Sequence, residues 1–386
     1  MSKYKIYHPQ YYKKFQCSGS ECKNTCCQSW TILIDKPTYE KYMNLDDKAG
    51  NVFSKRIAVT SHDPFNAVML LLSDNKKCPF LSSRGLCEIQ AEHGHEYLCY
   101  TCMVYPRKYN IIAGELEVFL ELSCEVVAKL VLFEQNIMRF EDSVFEMERE
   151  ITNYRLLDAA KYTSAKDAEN VYWKLRTCSI IITQSRQYRL AHRLLILGTL
   201  ITQADELISS GNDNDLTALT EMFLERLDNG FYDSLGESAP SAIDLDPGFI
   251  IRILDDLEAK NDLLLNKCIK DAKTGLDIKD DDKDFPQSFS ENYQRYYELY
   301  FADKEFIFEN YVVNCILSDG FPFNFKYQDK LVKNYNELLV KYNLVKFLFV
   351  GVSRRSMKYD KRRVLECVSS FSRNFDHQIG GALRFK

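Results

Sequence analysis

Residues Leu331 to Phe349 read LVKNYNELLVKYNLVKFLF. Leu331, Tyr335, Leu338, Tyr342, Val345 and Phe349 recur at steps of three or four, which is one face of an α-helix sustained over five turns. Working upstream, Leu219, Met222, Phe223 and Leu227 keep the same period, with Gly230 just beyond as a C-cap. The pattern predicts further helices within 124–150, 168–208, 247–271, 289–318 and 356–374. Breaks fall at Ser209 to Asp215, at 236–248 with its two prolines, and at the acidic run Asp280 to Asp284, read as a solvated loop. No internal repeat marks a solenoid.

Towards the N-terminus the period changes to short strands and turns. Trp30 to Ile34 alternates weakly, Ala67 to Leu72 is a short apolar run, and Leu116, Val118, Leu120 and Leu122 fall on one face. Ala113-Gly114 reads as the turn of a hairpin. Of the 13 cysteines, nine crowd into this first third: Cys17, Cys22, Cys26, Cys27, Cys78, Cys87, Cys99, Cys102 and Cys124. No secretory signal precedes them, so a cytosolic chain is expected, and the reducing cytosol favours thiolates on a metal over disulfides. Nine thiols exceed the four that one zinc or one 4Fe-4S cluster uses, so some are packing residues or two metals bind. Of the nearby histidines His62, His93 and His95, the last two read as solvated loop imidazoles. Cys178, Cys268, Cys315 and Cys367 stand alone on helical segments and read as small core residues.

The expected fold class is mainly α, with a small cysteine-rich metal-binding module of short strands over 1–125 packed on a helical domain over 126–386. With no long Gly/Ser or Pro-rich linker the two should pack as one unit, and ligation could supply cohesion that a small module lacks. The formal net charge of -5 argues against a general nucleic-acid binder and leaves room only for a local basic patch. No apolar run reaches the length of a membrane span. Glycine is scarce, at 15 residues, and neither phosphate-cradling glycine pattern occurs, which disfavours a Rossmann-type nucleotide site.

Taken together, Phe15-Gln-Cys17, Cys22, Cys26-Cys27, Trp30, Ile32-Leu-Ile-Asp35, Cys78-Pro-Phe-Leu81, Leu86-Cys-Glu-Ile-Gln90, Leu98-Cys-Tyr-Thr-Cys102, Tyr105-Pro-Arg107 and Leu122-Ser-Cys124 resemble the flagellin lysine-N-methylase family. The likeness continues at Glu309-Asn-Tyr-Val-Val-Asn314 and Phe321-Pro-Phe323, so it spans most of the chain. The cysteine order alone is similar to a wider group of zinc- or iron-chelating modules. Met103 and Glu125 depart from the basic residue and proline expected there. The resemblance implies a bacterial enzyme that moves a methyl group from S-adenosylmethionine to lysine side chains of flagellin, and a metal centre, a 4Fe-4S cluster or zinc.

Such chemistry needs a neutral amine, whereas a free lysine has a pKa of about 10.4, so a carboxylate or tyrosinate beside an apolar pocket must take the proton. Aromatic faces would attract the sulfonium cation. Beside the matching motifs, Tyr105, Glu309 and Tyr311 are candidates for catalysis. Arg107 and Asn310 are candidates for binding the donor, with Arg107 placed either to clamp a carboxylate bidentately or to bridge the two modules. The spacing C-x3-C-x2-C of radical donor chemistry is absent, so polar displacement with a structural metal is expected. Two other readings account for the thiols alone: an Fe-S electron-transfer or redox-sensing protein, and a zinc-stabilised interaction module.

Overall fold

The computed structural model describes residues 2–28, 32–45, 47–59, 66–69, 77–112, 114–147, 151, 153–234, 243–258, 262–279, 287–325 and 330–375. Trp30, His62, Leu70 to Leu72, Ala113, Gly236 and the acidic run Asp280 to Asp284 lie outside them.

The fold is mainly α, as the periodicity predicts. The stretch read first lies in a helix over Leu331–Arg355, the longest among the described residues. It is more than amphipathic, because Lys341, Asn343 and Lys346 are buried along with the apolar stripe. Helices therefore surround it on all sides: Leu263–Gly275, Gln287–Phe301, Glu305–Asp319 and Lys361–Phe375 all pack against it. Its tightest neighbour is Leu263–Gly275, where backbones nearly touch. A Cβ on Gly351 would stand 2.6 Å from the Ala272 Cα, so only glycine permits the approach. The helices Ala168–Gln184, Leu190–Ser209 and Leu216–Asp228 complete the body. No helix of the described residues is long and apolar enough to cross a membrane.

Among the described residues eight strands form two sheets: β1 (Ser2–Pro9), β2 (Leu33–Asp35), β3 (Ile57–Val59), β4 (Asn66–Met69), β5 (Arg107–Ile112), β6 (Glu115–Leu120), β7 (Phe140–Met147) and β8 (Arg155–Leu157). The larger sheet has the order β7-β1-β6-β5-β8, and an antiparallel trio runs β2-β4-β3. The expected hairpin is present, with Ile112 opposite Glu115 and Gly114 at φ +78, a left-handed conformation suited to glycine.

The helix expected within 124–150 is present but short. A helix over Glu125–Leu132 gives way to β7, which pairs antiparallel with β1 along its whole length. The larger sheet thus takes strands from both sides of residue 125. β7 escaped detection because it is an edge strand, with Val144 and Phe145 exposed, so no alternation of burial is written in it. Pairs such as Lys3–Glu146 at 3.0 Å favour its register but add little stability at the surface.

Among the described residues two apolar cores result. The large one joins the five-stranded sheet to the helices. The small one holds Ile32, Ile34, Tyr42, Phe53, Ile57, Phe80, Ile89 and Leu98 around Cys78 and Cys99, with Tyr42 stacked on Phe53 at 4.3 Å. The cysteine-rich region therefore has apolar cohesion of its own. It is joined to the body by polar contacts: Asn24 Nδ2 donates to Ser369 Oγ at 2.9 Å, Arg373 to the Asn24 carbonyl at 3.3 Å, and Asn314 Nδ2 to Tyr11 Oη at 3.0 Å. A buried ion pair between Glu117 of β6 and Arg176 is further braced by Asn110 and Tyr172. Removing one partner of such a pair costs more than the pair contributes, so these contacts specify how sheet and helices meet.

Candidate functional site

The thiols gather through local structure. The Cys27 carbonyl accepts from the Cys78 amide at 2.8 Å, and Leu81 bridges to Cys87 in a tight turn. Cys99 immediately precedes the Tyr100–Val104 helix, which puts Cys102 one turn along on the same face. Asp35 fixes that helix start by accepting from the Tyr100 amide at 2.7 Å while its other oxygen caps Lys36–Met43.

All thirteen cysteines are free thiols. Their electrostatic coupling sorts the nine into two groups. Cys27, Cys78, Cys87, Cys99 and Cys102 sense one another across the small core. Beyond burial, Cys17 raises both Cys22 and Cys124, and Cys26 is raised first by Cys27 of the first group and also by Cys124 and Cys17. A hydrogen bond from Cys26 draws the Cys27 thiol down to about 7, and the bond with Cys102 likewise lowers Cys99. Burial pushes Cys78 up to about 12 and Cys124 up to about 11. This donor set suits zinc and iron alike, since thiolate is a ligand for both. Among the described residues, no three His, Cys, Asp or Glu side chains stand close enough together to hold an ion as they are. His93 leans on Tyr97 and Phe53. Cys178, Cys268, Cys315 and Cys367 are buried in the helical core, where their isolation on helices placed them.

The candidates beside the motifs are not brought together. Tyr105 Oη meets Ser123 Oγ at 3.0 Å, and burial holds its phenol well above the usual range. Arg107 opens β5 and lies over the rings of Phe15 and Tyr12, at 5.4 and 5.8 Å. Both line a shallow cavity of about 70 Å³. Asn310 faces a different one, of about 90 Å³, and donates to the Glu134 carbonyl at 2.8 Å. Tyr311 is buried on the same helix. Glu309 is fully buried, and it binds Arg186 through both oxygens and Arg193 at 2.6 Å.

A larger cavity, of about 720 Å³, opens between the helices Pro247–Glu258, Gln287–Phe301 and Leu331–Arg355 and the start of Leu190–Ser209. One wall is aromatic: Phe289, Tyr293 and Tyr297 succeed one another along one helix face, opposite Tyr342 and Phe347. Four carboxylates, Asp244, Asp246, Glu298 and Glu305, face two cations, Arg189 and Lys346, so the lining is net negative. Asn343 Nδ2 donates to the Ile243 carbonyl at 2.9 Å and so places Asp244. Asp246 caps the Pro247–Glu258 helix by accepting from the Phe249 amide at 2.9 Å. Glu305 accepts from Tyr297 Oη at 3.0 Å and from Arg189 at 2.8 Å. Behind it Arg193 spans to Glu309, so Glu309 stands two links behind this wall instead of in it.

Lys346 is the informative occupant. Its ammonium lies 2.7 Å from Asp244 Oδ1 and 4.7, 5.5 and 5.9 Å from the ring centres of Tyr297, Tyr293 and Tyr342. Burial holds all three phenols well above their usual range, so they are neutral hydroxyls. This site was missed from sequence because its lining comes from distant segments. The available signal was a pair of four-residue spacings, Tyr293 with Tyr297 and Tyr342 with Lys346, that put ring upon ring and ring upon cation.

The model of the FliB lysine N-methylase C-terminal domain matches residues 176–380. The lysine-N-methylases of Salmonella typhimurium and Salmonella choleraesuis are each 28% identical over 144 residues, which is 37% of this chain and 36% of theirs. The flagellar biosynthetic protein FliU of Salmonella muenchen is 29% identical over 140 residues, 36% of this chain and 83% of its own. The similarity thus spans little more than a third of the curated lysine-N-methylases it matches. No solved structure matches. Every residue lining the large cavity falls inside the matched domain, which takes in more than half of the sequence, and the chain belongs to the FliB lysine N-methylase family.

Proposed function

We propose that this chain transfers methyl groups from S-adenosylmethionine to lysine side chains of flagellin, and that donor and target amine meet in the large cavity. The observation that carries this reading is Lys346: the cavity wall already seats an alkylammonium between a carboxylate and three tyrosine faces. A wall built in this way attracts cations, and both the sulfonium donor and the lysine target are cations. When bound, the donor supplies an electrophilic methyl group.

The chain's own residues do the rest. Phe289, Tyr293 and Tyr297 offer π faces and exclude water, while Asp246 and Glu298 face the same space with negative charge. A lysine becomes a nucleophile only after losing its proton, and carboxylates take it here, because the buried tyrosines remain neutral. Arg189, held between Glu298 and Glu305, keeps both carboxylates oriented. Flagellin as the acceptor is supported by the flagellar name of the Salmonella muenchen relative. The test is methyl incorporation into purified flagellin by the full chain with isotopically labelled donor. Label on flagellin lysines is the expected result, and unmodified flagellin would end the proposal.

The thiols are proposed to hold a structural metal, with Cys27, Cys78, Cys87, Cys99 and Cys102 as the central donors and Cys17, Cys22, Cys26 and Cys124 grouped beside them. Ligation would lock the small core and, through Asn24 and Arg373, the face of the body it rests on. Anaerobically purified protein should contain iron or zinc in stoichiometric amount by elemental analysis, and replacing Cys99 with Ser should lower both metal content and thermal midpoint together. Full stability without bound metal would refute a structural role.

A further inference from the structure

Lys346 has a setting that a merely structural lysine does not need. Lys341, five residues earlier on the same helix, lies over the Phe375 ring at 5.6 Å, but both oxygens of Asp319 take its ammonium at 2.8 and 2.9 Å and it does not line the cavity. Among the described residues Lys346 makes one hydrogen bond, to Asp244, and turns the rest of its ammonium towards the Tyr293, Tyr297 and Tyr342 rings, all of them cavity-lining. An N–H that faces a ring can be replaced by N–CH₃ without loss of a hydrogen bond. The methylated nitrogen keeps its charge, and aromatic boxes accommodate methylammonium well.

We propose that Lys346 is a self-methylation site: the chain methylates its own cavity lysine. This rests on the reading above that the cavity binds a sulfonium methyl donor. The Asp244 carboxylate takes a proton from the Lys346 ammonium, leaving a neutral amine. The nitrogen lone pair then forms the new N–C bond as the methyl–sulfur bond breaks. The electron pair of that bond stays on sulfur, so the sulfonium leaves as a neutral thioether and Lys346 becomes an N-methylammonium. No oxidant or reductant is required.

The experiment uses the full chain, first as isolated from the cells that produce it, then after incubation with S-adenosylmethionine carrying a trideuterated methyl group, with and without flagellin. Tryptic peptides are read by tandem mass spectrometry. Methylation hinders cleavage after Lys346, so a peptide running from Tyr342 to Arg354 should appear with the methyl mass on Lys346, above the level at any other lysine. Asp244→Asn should lower the rate of labelling by about 10²-fold, the low end of what a positioned base contributes. Circular dichroism run beside it shows that the variant is folded, and the wild-type map decides the matter even if it is not.

Equal label on exposed lysines such as Lys3 and Lys5 would indicate uncatalysed chemistry and overturn the proposal. So would an unmarked Lys346 alongside methylated flagellin, which leaves the proposed function intact. Lys346 and flagellin both unmarked would overturn the two together. Lys346 marked with flagellin untouched would uphold self-methylation and remove flagellin as the acceptor.

Discussion

Glu309→Ala should lower the free energy of unfolding by about 3–5 kcal/mol, read as a shift of the urea midpoint. Glu309 is inaccessible to solvent, and its carboxylate is shared by Arg186 and Arg193, the second of which is itself 2% exposed. Without Glu309, Arg193 keeps the Thr183 carbonyl at 2.7 Å and a distant Glu305 oxygen at 3.7 Å, too little to compensate a buried guanidinium. Because Arg193 also reaches Glu305, which lines the cavity, methyl transfer should weaken in the same variant through displacement of that wall. Replacing Glu309 and Arg193 together with apolar residues of similar volume should recover much of the stability without recovering the transfer. The result that sinks this account is a Glu309→Ala protein of unchanged midpoint that has lost transfer, since the carboxylate would then act in the chemistry and not as a brace.

Filling the cavity gives the second large effect. Ser290 lines it from the Gln287–Phe301 helix and is exposed, so a tryptophan there can be accommodated at little cost to folding. Its indole would share a helix face with Tyr293 and Gln294, both lining the cavity, and narrow the space left for donor and target. Ser290→Trp is therefore expected to reduce methyl transfer by about 10²-fold or more, the penalty for misplacing reacting groups by about 1 Å, with a thermal midpoint close to that of the parent. Leu299, 68% exposed on the same helix and outside the lining, supplies the comparison: Leu299→Gln should leave the transfer rate as it was. Undiminished turnover by Ser290→Trp would move the reaction elsewhere, and the shallow cavity at Tyr105 and Arg107 would become the next place to look.

The helical body was legible where its signals are local. The three-and-four spacing from Leu331 to Phe349 is a property of consecutive residues, and the helix there runs Leu331–Arg355. The hairpin around Gly114 was legible for the same reason. β7 was not, because its pairing partner, β1, lies some 140 residues away and its exposed face carries no alternation. Lys346 and Glu309 show the same limit at the site. Sequence does not show whether either charge is solvated or enclosed, and it leaves Glu309 a candidate for catalysis beside its motif. Which is true depends on the Asp244 or Arg193 that another segment delivers.

Residue order by itself thus determined the class of the fold, the crowding of nine thiols near the N-terminus and the likeness to the lysine N-methylase family. Periodicity, spacing and residue type are short-range quantities that survive in an unfolded chain. The tertiary structure alone decided that the thiols fall into two groups, that Glu309 is locked between two arginines, and that tyrosines and carboxylates from separate helices close around an ammonium. Those are distances between residues far apart in the chain, and they acquire values only when packing brings the segments together.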